Sequence, residues 1–393
     1  MNLFEKCYNF TRADEVKASG YYPYFVPIEW SNDTEVTVNG DRKIMIGSNN
    51  YLGLTHHPKV LEAANEAMKK YGSGCTGSRF LNGTLDIHIK LEEELADFME
   101  KEAALIFSTG YQTNLGIITT LAGKEDIIFT DKLNHASIHD ASVYSSAKIV
   151  RFRHNDIADL ERVIKKENSE NGKLIVVDGV FSMEGDIARV PEINNVAKKH
   201  NAKFMIDDAH SIGVLGKNGN GTAAHFGLQN EVDIIMGTFS KSFACIGGFV
   251  ASEDSVINYL KHFSRTLIFS ASLPPGAVAT ARTTLQIIKS EPERREQLRR
   301  ISRKMKTELE NIGFNTGVSE TPIIPVIIGD DMKTFIFWKE LFDEGVYSNP
   351  VVSPAVPPKS SRLRTSYIAT HTDEQLDFVL DKFEKVGKKL GVI

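Results

Sequence analysis

Between Ala103 and Ser252 the sequence alternates seven short apolar runs with longer segments of helical periodicity, and nothing else in the chain limits the fold as tightly. The runs are Ala103–Phe107, Asp126–Thr130, Lys148–Phe152, Leu174–Val177, Lys203–Ile206, Asp233–Met236 and Gly247–Ala251. Most are apolar throughout rather than at every second position. A strand with one wet face alternates, whereas a strand covered on both faces does not, so these runs predict a sheet buried on both sides. The segments between them, such as Ile187–His200, carry the 3.6-residue period of helices. This alternation predicts an α/β fold with a largely parallel, doubly wound sheet. Ligands of such sheets bind beyond the carboxyl ends of the strands, where Asp178, Asp207 and Lys241 fall.

The pattern changes after Ser270-Ala271-Ser272-Leu273-Pro274-Pro275. A long helix follows, and Ser290-Glu291-Pro292 opens a charged one to about Asn311, with Pro in its first turn. The charge run Glu293–Lys306 reads as that helix's solvated face. Pro322–Gly329 and Arg362–Ala369 read as strands, and Lys333–Glu344 as a helix stopped by Gly345. Thr372-Asp373-Glu374-Gln375 is a capping box opening the last helix. The expected organisation is an N-terminal arm (1–45), a large domain (46–280) and a smaller α+β domain (281–393).

A net charge of −5 without a basic block argues against nucleic acid and against a polybasic membrane patch. Cys7, Cys75 and Cys245 form no CxxC pair, which fits a reducing compartment better than a disulfide framework. The first residues lack the basic and apolar regions of a signal peptide, and no apolar run approaches the ~18 residues of a membrane span. A cytoplasmic location is therefore expected, and no metal site.

Lys241 is one of 46 lysines and arginines, most of which must be solvated surface charges. Its neighbourhood sets it apart. It sits in Gly237-Thr238-Phe239-Ser240-Lys241-Ser242, directly after a buried strand. A buried ammonium is costly, and desolvated lysines of this kind form Schiff bases, including the one that holds pyridoxal phosphate (PLP). Ser108-Thr109-Gly110-Tyr111 places glycine at a strand-to-helix turn whose free amides suit a phosphate, although an ordinary turn reads the same way. In Asn134-His135-Ala136-Ser137 a flat imidazole follows the second strand and is placed to stack on a flat ring; a lone histidine is more often a satisfied core or surface residue. Met205-Ile206-Asp207-Asp208-Ala209-His210 puts an aspartate at a strand end, where it can hold a pyridine nitrogen protonated, with His210 beyond it; the bland alternative is a helix cap. Asp178-Gly179-Val180-Phe181-Ser182-Met183-Glu184-Gly185 adds a further polar loop.

Each motif is weak alone, but their order is specific, and in series they resemble the α-oxoamine synthase family of PLP enzymes, within the fold type I aminotransferase superfamily. Ser48–Leu54, Gly72–Arg79 and Arg362-Leu363-Arg364-Thr365-Ser366 extend the resemblance from about residue 21 to 391. It implies that Lys241 forms the covalent link to PLP and removes the amino acid's α-proton. His135 would stack on the cofactor, Asp207 pair with the pyridinium, and His210 face the ring oxygen. Gly110, Tyr111, Thr238 and Ser240 match the phosphate positions, and Ser182 a serine near the ring. Ser270 or Ser272 would reach the phosphate of the partner's cofactor in a homodimer with shared sites. Arg364 would bind the substrate carboxylate, with Asn50 nearby.

Family members differ in their amino acid and acyl thioester. Gly77–Thr84, Tyr22-Pro23-Tyr24-Phe25 and Ser319–Pro325 look most like the bacterial serine palmitoyltransferase branch. That branch implies decarboxylative condensation of L-serine with a long-chain acyl-CoA such as palmitoyl-CoA, giving 3-ketodihydrosphingosine, CoA and CO2, the entry to sphingolipid synthesis. Glycine C-acetyltransferase is the runner-up. The aromatic cluster Tyr21, Tyr22, Tyr24 and Phe25 reads equally as an acyl-channel lining or as packing that anchors the N-terminal arm. A lipid product makes transient membrane contact an expectation at most, since no basic amphipathic helix stands out.

Overall fold

The computed structural model describes residues 2–167 and 170–393. The chain forms two compact units, one of Asn49–Leu298 and the other of the segment up to Ser48 with Arg299–Ile393.

The larger unit is built on a seven-stranded sheet: β1 (Ala103–Phe107), β2 (Ile127–Asp131), β3 (Lys148–Phe152), β4 (Lys173–Asp178), β5 (Lys203–Asp207), β6 (Ile234–Thr238) and β7 (Gly248–Ser252). Each strand lies within about two residues of its predicted run. The spatial order is β1-β7-β6-β5-β4-β2-β3, with β7 antiparallel to both its neighbours and the other pairs parallel. All five residues of β2, β6 and β7 are buried, as their unbroken apolar runs require. Edge strand β3 carries exposed Lys148 and Arg151, charges that discourage pairing with another chain. One face of the sheet gathers Leu105, Ile128, Val176, Met205, Met236 and Val250 into a core with Ile117, Ile138 and Leu260 from helices 110–121, 136–144 and 254–263.

The smaller unit has its own core around Phe337, Leu341, Leu363, Tyr367 and Phe383. Strands Ile323–Gly329, Ser361–Ser366 and Asn349–Val351 form an antiparallel sheet. A second sheet joins Trp30–Asn32, Glu35–Val38 and Asp41–Met45 to Val346–Tyr347. Much of the expected N-terminal arm is thus folded structure here. Its β-branched alternation Glu35-Val36-Thr37-Val38, with both valines buried, is the signal that marks it. Helix Pro275–Ser290 falls in the larger unit, so the division lies at Leu298/Arg299 rather than near 281. Gly345, at φ +91°, stops helix Asp331–Asp343, and its amide bonds the Phe342 carbonyl. The capping box forms as expected: the Gln375 amide bonds Thr372 Oγ1 at 3.3 Å, and Gln375 Oε1 receives the Thr372 amide at 3.1 Å. Tyr24 packs edge-on to Phe335 while Phe25 is 94% exposed, so the aromatic cluster divides between packing and solvent. Among the described residues no helix is long and apolar enough to cross a membrane.

Candidate active site

The carboxyl ends of the central strands stand in register, Asp178 opposite Asp207 and Asp207 opposite Met236. A cavity of about 330 Å³ opens beyond them. Gly110, Tyr111, Asn114, His135, Ser137, Asp178, Val180, Asp207, His210, Thr238, Ser240 and Lys241 all line it. Nine residues singled out from sequence, Asp178 among them, therefore meet here, from segments spread over about 130 positions.

Asp207, 4% exposed, is fixed by two donors. Asn114 Nδ2 donates to Oδ2 at 2.6 Å, and the Ala209 amide to Oδ1 at 3.0 Å. The second hydrogen of the same Asn114 nitrogen goes to Ser137 Oγ at 2.9 Å. Ser137 in turn bonds His135 Nδ1 at 2.8 Å, and the Ser137 amide points at the same nitrogen at 3.3 Å. With Nδ1 accepting, the proton of a neutral His135 sits on Nε2. Burial and the Lys241 cation both lower the His135 pKa, against the pull of Asp207, so the ring is neutral at physiological pH. His135 also caps helix 136–144, and its amide donates to Asp178 Oδ2 at 3.0 Å.

Asp178 is buried against Asp207, and burial and the neighbouring carboxylate raise its pKa well above the usual range while Lys241 opposes the rise. Its Oδ1 is buried without a hydrogen-bond partner. The site thus holds two carboxyl groups on adjacent strands against one lysine, an arrangement that a further cation would relieve.

Lys241 is half-buried in the turn after β6. The turn is pinned by Phe239 and Phe243, both fully buried with ring centroids 5.1 Å apart. Hydrogen bonds from Phe239 N to Gly247 O (2.9 Å) and from Cys245 N to Phe239 O (3.0 Å) close it. The aromatic residues two before and two after the lysine are thus rooted in the core, which fixes the backbone from which the amine projects.

Gly110 begins helix Gly110–Leu121, so its amide and that of Tyr111 have no intrahelical acceptor. The N-cap is Thr109, whose hydroxyl takes the Gln112 amide at 3.1 Å. Beside this helix start, the Thr238 hydroxyl donates to the Gly247 carbonyl and accepts from Ser240 Oγ, both at 3.0 Å. A Cβ on Gly110 would lie 2.7 Å from Thr238 Oγ1. Glycine thus lets the helix start close on the Thr238 hydroxyl, and free helix-start amides beside two hydroxyls on one cavity lining make an anion cradle.

His210 is buried, and its Nδ1 lies 2.7 Å from the hydroxyl of Tyr51, itself 1% exposed. Four predicted residues of this unit lie outside the cavity lining. Asn50 closes a turn, with Oδ1 accepting the Leu54 amide at 3.0 Å and Nδ2 donating to Thr55 Oγ1 at 2.9 Å. Ser182 lies in the loop beyond Val180. Ser270 Oγ accepts from Gln112 Nε2 at 3.2 Å, and Ser272 Oγ donates to the Gly77 carbonyl at 3.0 Å. Arg364 belongs to the smaller unit, buried in strand Ser361–Ser366. Sequence reading missed Asn114 and the Tyr51 contact. Asn114 had a signal: it lies four residues after Gly110, one helical turn away on the same face.

Residues 41–383 match the family "Aminotransferase class I and II". The chain belongs to this family. It is 50% identical to serine palmitoyltransferase of Sphingobacterium spiritivorum over 390 residues, 99% of this chain and 98% of the relative. It is 45% identical to 8-amino-7-oxononanoate synthase of Treponema denticola, covering 97% of each chain. A solved structure described as a high-resolution structure of SPT with PLP internal aldimine superposes with a TM-score of 0.97 at 40% identity, covering all of both chains. The fold is that of the fold type I PLP-dependent transferases. The cavity fits PLP: its lining brings together an anion cradle, a pair of carboxyl groups that a further cation would relieve, and a half-buried lysine.

Proposed function

We propose that this chain, as a homodimer, condenses L-serine with a long-chain acyl-CoA such as palmitoyl-CoA, releasing CoA and CO2 and forming 3-ketodihydrosphingosine. The observation that carries the reading is full-length 50% identity to a serine palmitoyltransferase, joined to a cavity in which Lys241, Asp207 and His135 converge. Pyridoxal 5′-phosphate is the cofactor, and the chain is a PLP-dependent acyltransferase. When bound, PLP withdraws electrons from the α-carbon of an amino acid joined to it.

The chain's own residues hold and steer that chemistry. Lys241 Nζ would hold the cofactor covalently and, once displaced by the substrate amine, would take the α-proton. Asp207, held by Asn114, accepts from the pyridine N–H and keeps that nitrogen cationic. Neutral His135 offers an uncharged face for stacking, and His210 meets the ring oxygen. Gly110, Tyr111, Thr238 and Ser240 cradle the phosphate, with Ser270 or Ser272 contributed by the partner and Ser182 close to the ring. Arg364 anchors the substrate carboxylate, with Asn50 assisting, and so selects which Cα bond is broken. Exposed apolar side chains on the larger unit, among them Leu81, Tyr144 and Phe269 at 72–78%, support the dimer.

The test is a spectral titration of the purified holoenzyme. The cofactor band should shift more strongly with L-serine than with glycine or L-alanine, and serine plus palmitoyl-CoA should release free CoA. The 45% identity to an 8-amino-7-oxononanoate synthase supports a second reading, an L-alanine and pimeloyl-thioester enzyme. A dominant response to L-alanine selects that reading, and a dominant response to glycine the C-acetyltransferase.

A further inference from the structure

His154 lies outside the cavity and in none of the motifs above, yet it sits between two buried carboxylates from different parts of the fold. Its Nδ1 is 3.1 Å from Asp131 Oδ1 at the end of β2, and its Nε2 is 3.0 Å from Asp186 Oδ2 in the loop after β4. Asp131 and Asp186 are 3% and 6% exposed. A carboxylate only accepts, so both ring nitrogens must carry protons and the ring is an imidazolium. Burial works against that charge, but the two carboxylates outweigh it and raise the pKa to about 10. The ring also meets Phe181 edge-on, with centroids 4.4 Å apart.

Asn155 doubles the link. Its amide donates to Asp131 Oδ2 at 2.7 Å, and its Nδ2 donates to Asp186 Oδ2 at 2.9 Å and the Ile187 carbonyl at 3.0 Å. The loop so tied runs from Gly179 to Ile187 and closes on itself through the Val180–Ile187 bridge and the Phe181–Asp186 hydrogen bond. It follows directly from Asp178, and Val180 lines the cavity.

We propose that His154 is a positioning residue for the reaction, an imidazolium clamp that holds the Gly179–Ile187 loop to β2 and thereby sets the cavity wall formed by Asp178 and Val180. The proposal rests on the functional reading above for its activity readout alone. Misplacing a wall by about 1 Å is worth on the order of 100-fold in rate. His154→Gln can form one of the two bonds but carries no charge. As holoenzyme it should lose 10- to 100-fold in kcat, keep the KM for the amino acid within about threefold, and shift the bound-cofactor absorbance band. Asp186→Asn, which keeps Asp131 and the shape of the loop, should reproduce these changes in part.

Folded His154→Gln holoenzyme with wild-type kcat and cofactor spectrum would overturn the clamp. So would a lower melting temperature with no other change, which would make the contact merely structural. Should His154→Gln fail to fold, nitrogen NMR of the wild-type holoenzyme decides. Two ring N–H groups at pH 8.5 are expected, and a neutral single-N–H ring refutes the proposal. The NMR and spectral arms need no particular acyl donor, so failure of the substrate assignment is distinguishable from failure of the clamp.

Discussion

Asn114→Ala isolates the one side chain that links the two candidate cofactor contacts. The substitution removes a 2.6 Å bond to Asp207 and a 2.9 Å bond to Ser137, both buried, and leaves Asp207 Oδ2 without its donor. A hydrogen bond to a charged group contributes about 1.5–3 kcal/mol and a neutral one about 1 kcal/mol. The loss is about 3 kcal/mol, mostly from the Asp207 side. In a unit of about 250 residues, 1 kcal/mol moves Tm by roughly 2–4 °C, so the apoprotein should melt about 6–12 °C lower. Ser137→Ala removes two neutral bonds, to Asn114 and to His135, and should lose about 2 kcal/mol, or roughly 4–8 °C.

The functional consequence follows from geometry. Without Asn114 the Asp207 carboxylate keeps only the Ala209 amide and is free to rotate. Cofactor affinity should fall about tenfold, equal to about 1.4 kcal/mol. Scanning calorimetry of the apoproteins and fluorescence titration with PLP measure the two effects separately. Because Asn114 and Ser137 share a bond, their double mutant should be less destabilised than the sum of the singles. If Asn114→Ala costs no more than Ser137→Ala in melting temperature, and PLP affinity is unchanged, the carboxylate is not held as described and the reasoning fails.

Three further outcomes are expected. Lys241→Ala should keep the fold by circular dichroism but lose the covalent cofactor band and turnover; unchanged turnover would refute its role. Gly110→Ala puts a methyl 2.7 Å from a Thr238 hydroxyl already tied to the Gly247 carbonyl, so neither side can yield, and phosphate-dependent PLP affinity should drop at least tenfold. Asp208 is fully buried, and burial raises its pKa from 3.8 to about 6 against bonds from Ser211 and Thr222. The folded chain therefore keeps a proton that the unfolded chain releases. This group's stabilisation is complete below about pH 4 and is lost as pH rises through about 6, up to roughly 3 kcal/mol. Asp208→Asn, able to accept from the Thr222 amide and donate to Ser211, should remove that loss, so its Tm advantage should widen between pH 4 and 7. A difference independent of pH would count against it.

What the sequence made legible follows from how each element is stabilised. β2, β6 and β7 are buried on both faces, and burial is written directly as unbroken apolar runs, so their positions were readable to within about two residues. The short strands Val346–Tyr347 and Asn349–Val351 have too few residues to show any period and pair only with segments distant in sequence, so they were not. The same distinction separates the site residues. Lys241, Asp207 and His135 announce themselves because an ionisable side chain at the end of an apolar run demands an explanation. Asn114, marked only by its spacing from Gly110, and His154 do not, since each acts through partners that the fold brings from 93 positions and from 23 and 32 positions away.

That difference bears on how the site works. Residues placed at strand ends need only the sheet to bring them together, and the register of β4 and β5 does so for Asp178 and Asp207. The register fixes Cα positions, not side-chain rotamers. Two carboxyl groups side by side repel, and each gains by turning toward solvent or away from its neighbour unless a donor holds it. Asn114, one turn into its helix, supplies a donor to Asp207, and the amide of His135, the N-cap of its helix, supplies one to Asp178. The sheet therefore sets the distance between the charged groups and the helix starts set their orientation. Substitutions in the helix starts should then damage cofactor binding more than equally buried apolar substitutions within the strands, which should lower stability first.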